Sequence, residues 1–263
     1  MKRLQVISLV VLIMAVALTA FKRLPDSGAT DDFRMETDVF SGSQVDPIVE
    51  TLTIFRAQII YDFMGPDGEE ITIFDIPRGS LVLIDTRRKI KTSISTSQLM
   101  AFMAAVKSQP QSSAKNHLLA PQFQETYEAA QQVVTLTDVH LTYRAKGIKP
   151  KHPEFAQRFQ LFADWYARLN ATRLGNPPPF GRIELNQSLA RHGLIPVEIE
   201  RTVVVNATAG QPQKMRSRHL TNWQLTETDR KRIQQAETCL ESYPEVPPDR
   251  YWQISRTGRS PRK

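Results

Sequence analysis

The feature that most constrains this chain is a run of short alternating segments joined by very short connections. Residues 51–64 place Phe55, Ala57, Ile59, Tyr61 and Phe63 at every second position, the period of a half-buried strand. Gly65-Pro66-Asp67-Gly68 follows, in which proline presets one turn dihedral and glycine accepts a positive φ. Ile71 and Ile73 lead a return strand that stops at Pro77, and residues 80–95 read as a further strand or strand pair. Strands so closely spaced cannot be joined by parallel crossovers, which take a dozen residues or more, so an antiparallel meander is expected.

Helical periodicity interrupts the meander. Ser95-Thr96-Ser97-Gln98 is a capping box, and Leu99, Phe102, Met103 and Val106 follow on one helical face. Residues 133–145 return to strand alternation, with Val139, Leu141 and Tyr143 on one face. Pro153 opens a helix at its first turn, with Phe155, Phe159, Phe162, Tyr166 and Leu169 as its stripe and Trp165 beside it. A short helix from Gly181 carries Leu185 and Leu189 and stops at Gly193. Residues 197–205 and 214–223 read as a hairpin, and Thr226 with Asp229 caps a last helix to about residue 241. The expected class is α+β, a curved antiparallel sheet in a half-barrel-like meander packed on several helices. The stripe residues Phe159, Phe162 and Tyr166 are expected to bury against the strand face of Ile59 and Tyr61.

The ends differ from the body. Lys2 and Arg3 precede an uncharged, mostly apolar run to Phe21, which reads as either a cleaved signal peptide or an N-terminal membrane anchor over residues 1–23. Its charge placement puts the rest of the chain outside the cytoplasm, in the periplasm or tethered to the inner membrane, with membrane contact through the N-terminus if the signal stays attached. Residues 24–33 are a spacer, 34–241 a single domain, and 242–263 a proline-broken basic tail expected to be disordered. At this size a single core needs neither a metal nor a disulfide, and Cys239 is the only cysteine among 263 residues.

The net charge of +7 does not make a nucleic-acid binder. Residues 1–23 and residues 249–263 contribute +4 each, which leaves −1 for residues 24–248. A phosphate-binding domain carries its excess on a folded face instead.

Chemistry-bearing motifs are sparse. No nucleophile elbow, phosphate loop or paired-histidine zinc motif occurs, and the five histidines never fall at metal-ligand spacing. No catalytic residue, metal site or cofactor is assigned. Glu198 and Glu200 share a strand face opposite Val197, Ile199 and Val203, and are expected to face water. Arg87, Arg88, Lys89 and Lys91 alternate across a strand end and form no single patch. Asn170, Asn186 and Asn206 match the glycosylation pattern, the first two on expected helices. The aromatic stripe of Phe155, Phe159, Phe162, Trp165 and Tyr166 is either core packing or the lining of an apolar ligand cleft under the sheet.

Several segments resemble known proteins. Ile71-Thr72-Ile73-Phe74-Asp75, Leu83-Ile84-Asp85 and Arg88-Lys89-Ile90-Lys91-Thr92 resemble a meander of exported bacterial domains. Residues 162–170, Leu194-Ile195-Pro196-Val197-Glu198 and Arg218-His219-Leu220 are similar to an uncharacterised family of exported bacterial envelope proteins. More distantly, the order of strand meander, helices and a late strand at 194–199 is similar to the periplasmic lipoprotein-carrier (LolA-like) superfamily. That resemblance implies a sheet curved around helices, with acyl chains in the concavity and lipid or another envelope protein as partner. The reading is a non-enzymatic envelope protein binding a hydrophobic ligand or partner in a sheet–helix cleft. The alternatives are an exported hydrolase-like enzyme with a site assembled from distant residues, and a purely structural envelope protein.

Overall fold

The computed structural model describes residues 32–108, 117–173, 175–204 and 212–257. Eleven strands form one open antiparallel sheet in the order β6-β5-β4-β3-β2-β1-β11-β10-β9-β8-β7. They are β1 (Phe33–Ser41), β2 (Val49–Arg56), β3 (Ile59–Met64), β4 (Glu70–Asp75), β5 (Ser80–Asp85), β6 (Ile90–Ser95), β7 (Gln124–Glu128), β8 (Val133–Thr137), β9 (Leu141–Ile148), β10 (Ile195–Val203) and β11 (Gln213–Asn222). The chain starts at the centre of the sheet and steps outward to β6. It crosses to the far edge at β7 and steps back to pair β11 with β1. The fold is α+β, with an antiparallel sheet as expected.

The expected single strand over 51–64 is two strands. Ala57 adopts a left-handed φ of 46° and, with Gln58, turns β2 into β3. The two-residue turn inverts the parity of the alternation. Phe55 pairs with Ile60 on one face, whereas Ile54 pairs with Tyr61 on the other. The expected strand over 133–145 is likewise a hairpin, and Val139, at its tip, is 82% exposed.

The longer helices among the described residues are α1 (Thr96–Ser108), α2 (Glu154–Ala171), α3 (Phe180–Arg191), α4 (Glu227–Ser242) and α5 (Pro248–Thr257). Ser95 and Gln98 start α1 by reciprocal capping, with Gln98 N donating to Ser95 Oγ and Ser95 N to Gln98 Oε1. Thr226 and Asp229 form the same box at α4, and Asp229 also accepts a 3.0 Å bond from Arg34 Nη1.

α2 packs on one face of the sheet. Phe155, Phe159, Phe162 and Leu169 meet Phe33, Met35, Phe55, Ile60, Phe74 and Leu81 there. Phe33 stacks on Phe55 at 4.1 Å and on Phe155 at 4.6 Å, and Phe162 meets Phe55 edge-on at 5.7 Å. Each fully buried phenylalanine contributes roughly 1.5–3 kcal/mol. The expectation that the stripe meets Ile59 and Tyr61 is therefore corrected. Tyr61 belongs to the opposite face, where Ile233, Ala236 and Cys239 of α4 cover Leu52, Ile54, Phe63, Ile71, Ile73 and Ile84. α3 covers the β8–β10 region with Leu185 and Leu189 on Val134, Leu136, Leu141, Tyr143 and Ile199. The ladder carries Ile199 through Ser217 to Val39, so α3 lies on the same face as α2.

The segment expected as a disordered tail is ordered through residue 253. Lys91 N donates to Pro244 O and Val246 N to Lys91 O, a bridge that covers the free edge of β6 at Lys91. α5 then turns Tyr251, fully buried, and Trp252 into the α2-side core. The aromatic pair supplies the apolar anchors that a proline-and-arginine composition conceals. The apolar run of residues 1–23 and the end of the chain from 258 lie outside the described residues.

Candidate functional site

The face covered by α2 and α3 divides into three sectors. The first is the aromatic one. Phe155, Phe159 and Phe162 are buried at 0, 6 and 5% exposure, and Trp165 and Tyr166 pack half-buried against the same core. The structure thus brings all five sequence-derived candidates onto the sheet, where their rings fill the space between helix and strands. Phe155 also stacks on Trp223 at 5.7 Å. Arg168 sits 4.8 Å above the Trp165 ring.

The second sector is centred on Asp62, a buried carboxyl in the middle of β3. Thr53, opposite it on β2, donates from Oγ1 to Oδ1 at 2.6 Å, and the Tyr166 hydroxyl also hydrogen-bonds to it. Burial pushes the Asp62 pKa up to about 6, against the lowering effect of these two donors and of Arg173. Arg173, just past the end of α2, forms an ion pair with Glu70 and lies 5.2 Å from the Trp252 ring. A carboxyl kept from ionising until near-neutral pH is a group that burial, rather than charge pairing, controls.

The third sector lies under α3. Asp164 of α2 accepts a 2.9 Å bond from Asn186 Nδ2, whose Oδ1 accepts from Arg182 Nε at 2.9 Å. Burial raises the Asp164 pKa, while Asn186, Arg168 and Arg182 pull it down. Arg201, on β10, is paired in register with Tyr143 of β9 and interacts with its hydroxyl. His219 is buried between Thr37 and Ser217, each 2.9 Å from one ring nitrogen. Burial and the nearby Arg182 charge push its pKa down to about 3, so it is neutral at ordinary pH.

Where β1, β10 and β11 end together, a cleft of about 280 Å³ opens, lined by Gly42, Gln44, Glu200, Arg201, Lys214 and Arg216 among others.

The remaining sequence candidates are placed as follows. Glu200 is exposed, and Glu198 is half-buried with its carboxylate 3.7 Å from Arg218. Arg87 and Arg88 pair with Glu69 and Asp85, and Lys91 donates to the Leu240 carbonyl, so the basic cluster is dispersed. Asn186 is buried and committed to Asp164, which leaves it inaccessible to a glycosyl transfer in the folded chain. Among the described residues, no group of three or more His, Cys, Asp or Glu is placed to hold a metal, and no helix is long and apolar enough to cross a membrane.

Asp62, Arg182, Arg201 and His219 escape a reading of the sequence. The single available signal is Asp62 itself, an acid inside the apolar run Ile59-Ile60-Tyr61-Asp62-Phe63. The arginines and the histidine come together only through strand pairing and the packing of α3 on the sheet, between segments distant in sequence. No family model and no curated protein matches the chain.

Proposed function

We propose that this protein is a non-enzymatic binding protein of the cell envelope, exported by its N-terminal apolar segment, that takes up the acyl chain of a lipid or lipoprotein between the sheet and α2. The observation that carries the reading is the construction of the α2 face. A broad apolar sheet surface is covered chiefly by α2, whose contacts are mostly aromatic rings, with Leu99, Tyr251 and Trp252 at the margins of the same core, and the irregular segment 149–153 leads into that helix. Right-handed strand twist over so many strands favours a curved sheet, and curvature around α2 and α3 gives a half-barrel. Moving α2 outward exposes a trough lined by Phe33, Phe55, Ile60, Phe74 and Leu81. An acyl chain in that trough gains about 0.8 kcal/mol per buried methylene. Roughly a dozen methylenes then supply the ~8 kcal/mol of micromolar affinity, with a margin for displacing the helix.

Titration of the full chain with a fluorescent fatty acid tests the reading. Saturable binding in the micromolar range, competed by unlabelled palmitate, supports it. No saturable signal at tens of micromolar probe overturns it and leaves α2 as permanent core.

A further inference from the structure

We propose that the outer face of α1 rests on the surface of the membrane that holds the N-terminal apolar segment, so that the domain meets the bilayer at two points. This rests on the envelope location argued above and not on the acyl ligand.

Three observations converge on the assignment. The first is α1 itself. Every side chain from Leu99 to Val106 is apolar, and the one charged residue of the helix is Lys107, beside its end. Leu99 and Met103 are buried, whereas Met100 and Phe102 are 49 and 39% exposed, and Ala101, Ala104 and Ala105 complete the outer side. A helix apolar on all sides normally sits inside a core. An uncovered apolar patch, here bounded by Ser97 and Gln98 before it and Lys107 and Ser108 after it, marks contact with a membrane or a partner.

The second observation is what the chain itself has to cover that patch. Outside the described residues, the segments 109–116, 205–211 and 258–263 contain no apolar run, and the one long apolar stretch is Leu4–Phe21. That stretch has the length of a spanning segment, roughly 17–25 residues. The outer face of α1 covers only two turns, about 11 Å, so it is too short to bury such a stretch, whereas a bilayer covers both. The third observation is position. Ala57 N donates to Asp32 Oδ1 at 3.1 Å, Ile76 N to Gln58 O at 3.1 Å, Gly79 N to Ile76 O at 3.1 Å, and Thr96 N to Gly79 O at 2.8 Å. These bonds follow one rim of the sheet from the start of β1 to the start of α1, five strand spacings or about 24 Å. Residues 24–31 reach at most about 30 Å when fully extended, a tether too short to carry that rim far from the surface.

Reconstitution of the full chain into vesicles of brominated phosphatidylcholine and phosphatidylglycerol tests this, with introduced tryptophan as the depth probe and the wild-type emission subtracted. Phe102→Trp and Met100→Trp should each add an emission that is blue-shifted and mostly lost to bromine quenching. Met100→Trp decides the matter where Phe102→Trp fails to fold. Leu220→Trp is the control. Leu220 is 67% exposed and pairs with Glu36, on the sheet face where Arg34 reaches Asp229 of α4, whereas Leu99 of α1 packs in the α2-side core. Its added emission should keep its intensity. Equal emission from the α1 variants and the control, in vesicles that carry the protein on flotation, overturns the docking of α1 and leaves the anchor. A blue shift without quenching that grows with protein concentration gives the face to a second copy and also overturns the docking. A chain that does not float with the vesicles overturns anchor and docking together. The fatty-acid titration is read separately, so the acyl reading stands or falls on its own.

Discussion

Thr53 and Asp62 face each other across the β2–β3 pair, and the threonine donates to the carboxyl at 2.6 Å in a site closed to water. The bond lies on the α2 face, so an acid occupies the layer that elsewhere holds phenylalanine and isoleucine. It is also a point where α2 is fastened to the sheet by polar contact, through Tyr166, as it is at its other end by Arg158, which donates to the Ala57 carbonyl at 2.7 Å.

The Asp62 carboxyl makes stability depend on pH in a direction opposite to His219. Its pKa is raised from 3.8 to about 6 on folding, so the stability it contributes is present below about pH 4 and is lost as pH rises to 6. His219, lowered from 6.5 to about 3, contributes stability above pH 6.5 that is lost as pH falls. Between pH 4 and 6 the two slopes cancel. Asp62→Asn should leave the histidine slope uncovered, so that unfolding free energy climbs with pH more steeply than in the wild type by about 1.4 kcal/mol per unit. Urea denaturation at pH 4, 5 and 6 measures it, and parallel curves for the two proteins would refute it.

Phe162 should be a stability residue in the unliganded protein. It is 5% exposed and set edge-on to Phe55. Phe162→Ala should cost about 3–5 kcal/mol, or on the order of 10 °C in thermal midpoint. An unmoved midpoint in thermal denaturation would mean that α2 is not docked in solution.

Deleting residues 243–263 should destabilise the domain rather than leave it untouched. Tyr251 is fully buried, with the Arg88 guanidinium 5.2 Å from its ring. Tyr251→Ala alone should cost roughly 3–5 kcal/mol, and the deletion at least as much. Equal midpoints for full-length and shortened chains would show that α5 does not dock.

Gly147 should not tolerate a side chain. A Cβ there would stand 2.9 Å from Leu194 Cβ and 3.0 Å from the Ile195 carbonyl oxygen, and the second neighbour is backbone that cannot swing away. Gly147→Ala should therefore cost about 1–3 kcal/mol by overpacking. Gly175→Ala is no fair control because its φ is 87°, so the comparison is with Ala104→Gly on the exposed side of α1, which should cost no more than about 1 kcal/mol.

What the sequence made legible is what local chemistry controls. The capping boxes of α1 and α4, the proline-opened α2 with its stripe, and the meander after Gly65 can be read from neighbouring residues alone. The β2–β3 turn cannot. Ala57-Gln58 carries no glycine, asparagine or proline, and apolar residues continue on both sides, so the alternation passes through it unbroken while the strand reverses. That hidden reversal moved the α2 stripe onto the wrong face. The polar sectors were out of reach for a different reason. Arg201 meets Tyr143 only because β9 and β10 lie side by side, and the Arg182 charge reaches His219 only because α3 packs over the sheet, and no spacing within any one segment encodes that.

The two margins of the sheet are unequal. β6 is bridged at Lys91 by the chain's own 244–246 segment and contacted by α5, whereas β7 has no further strand beside it among the described residues. Its five residues are mostly exposed, carry two glutamates and begin just after Pro121, features that discourage a stray strand from annealing. Should another copy anneal there, antiparallel β7 against β7 would use up the open margin of both chains at once. Growth through these strands then ends at a two-fold pair, and the capped margin turns a potential fibre template into a self-terminating one.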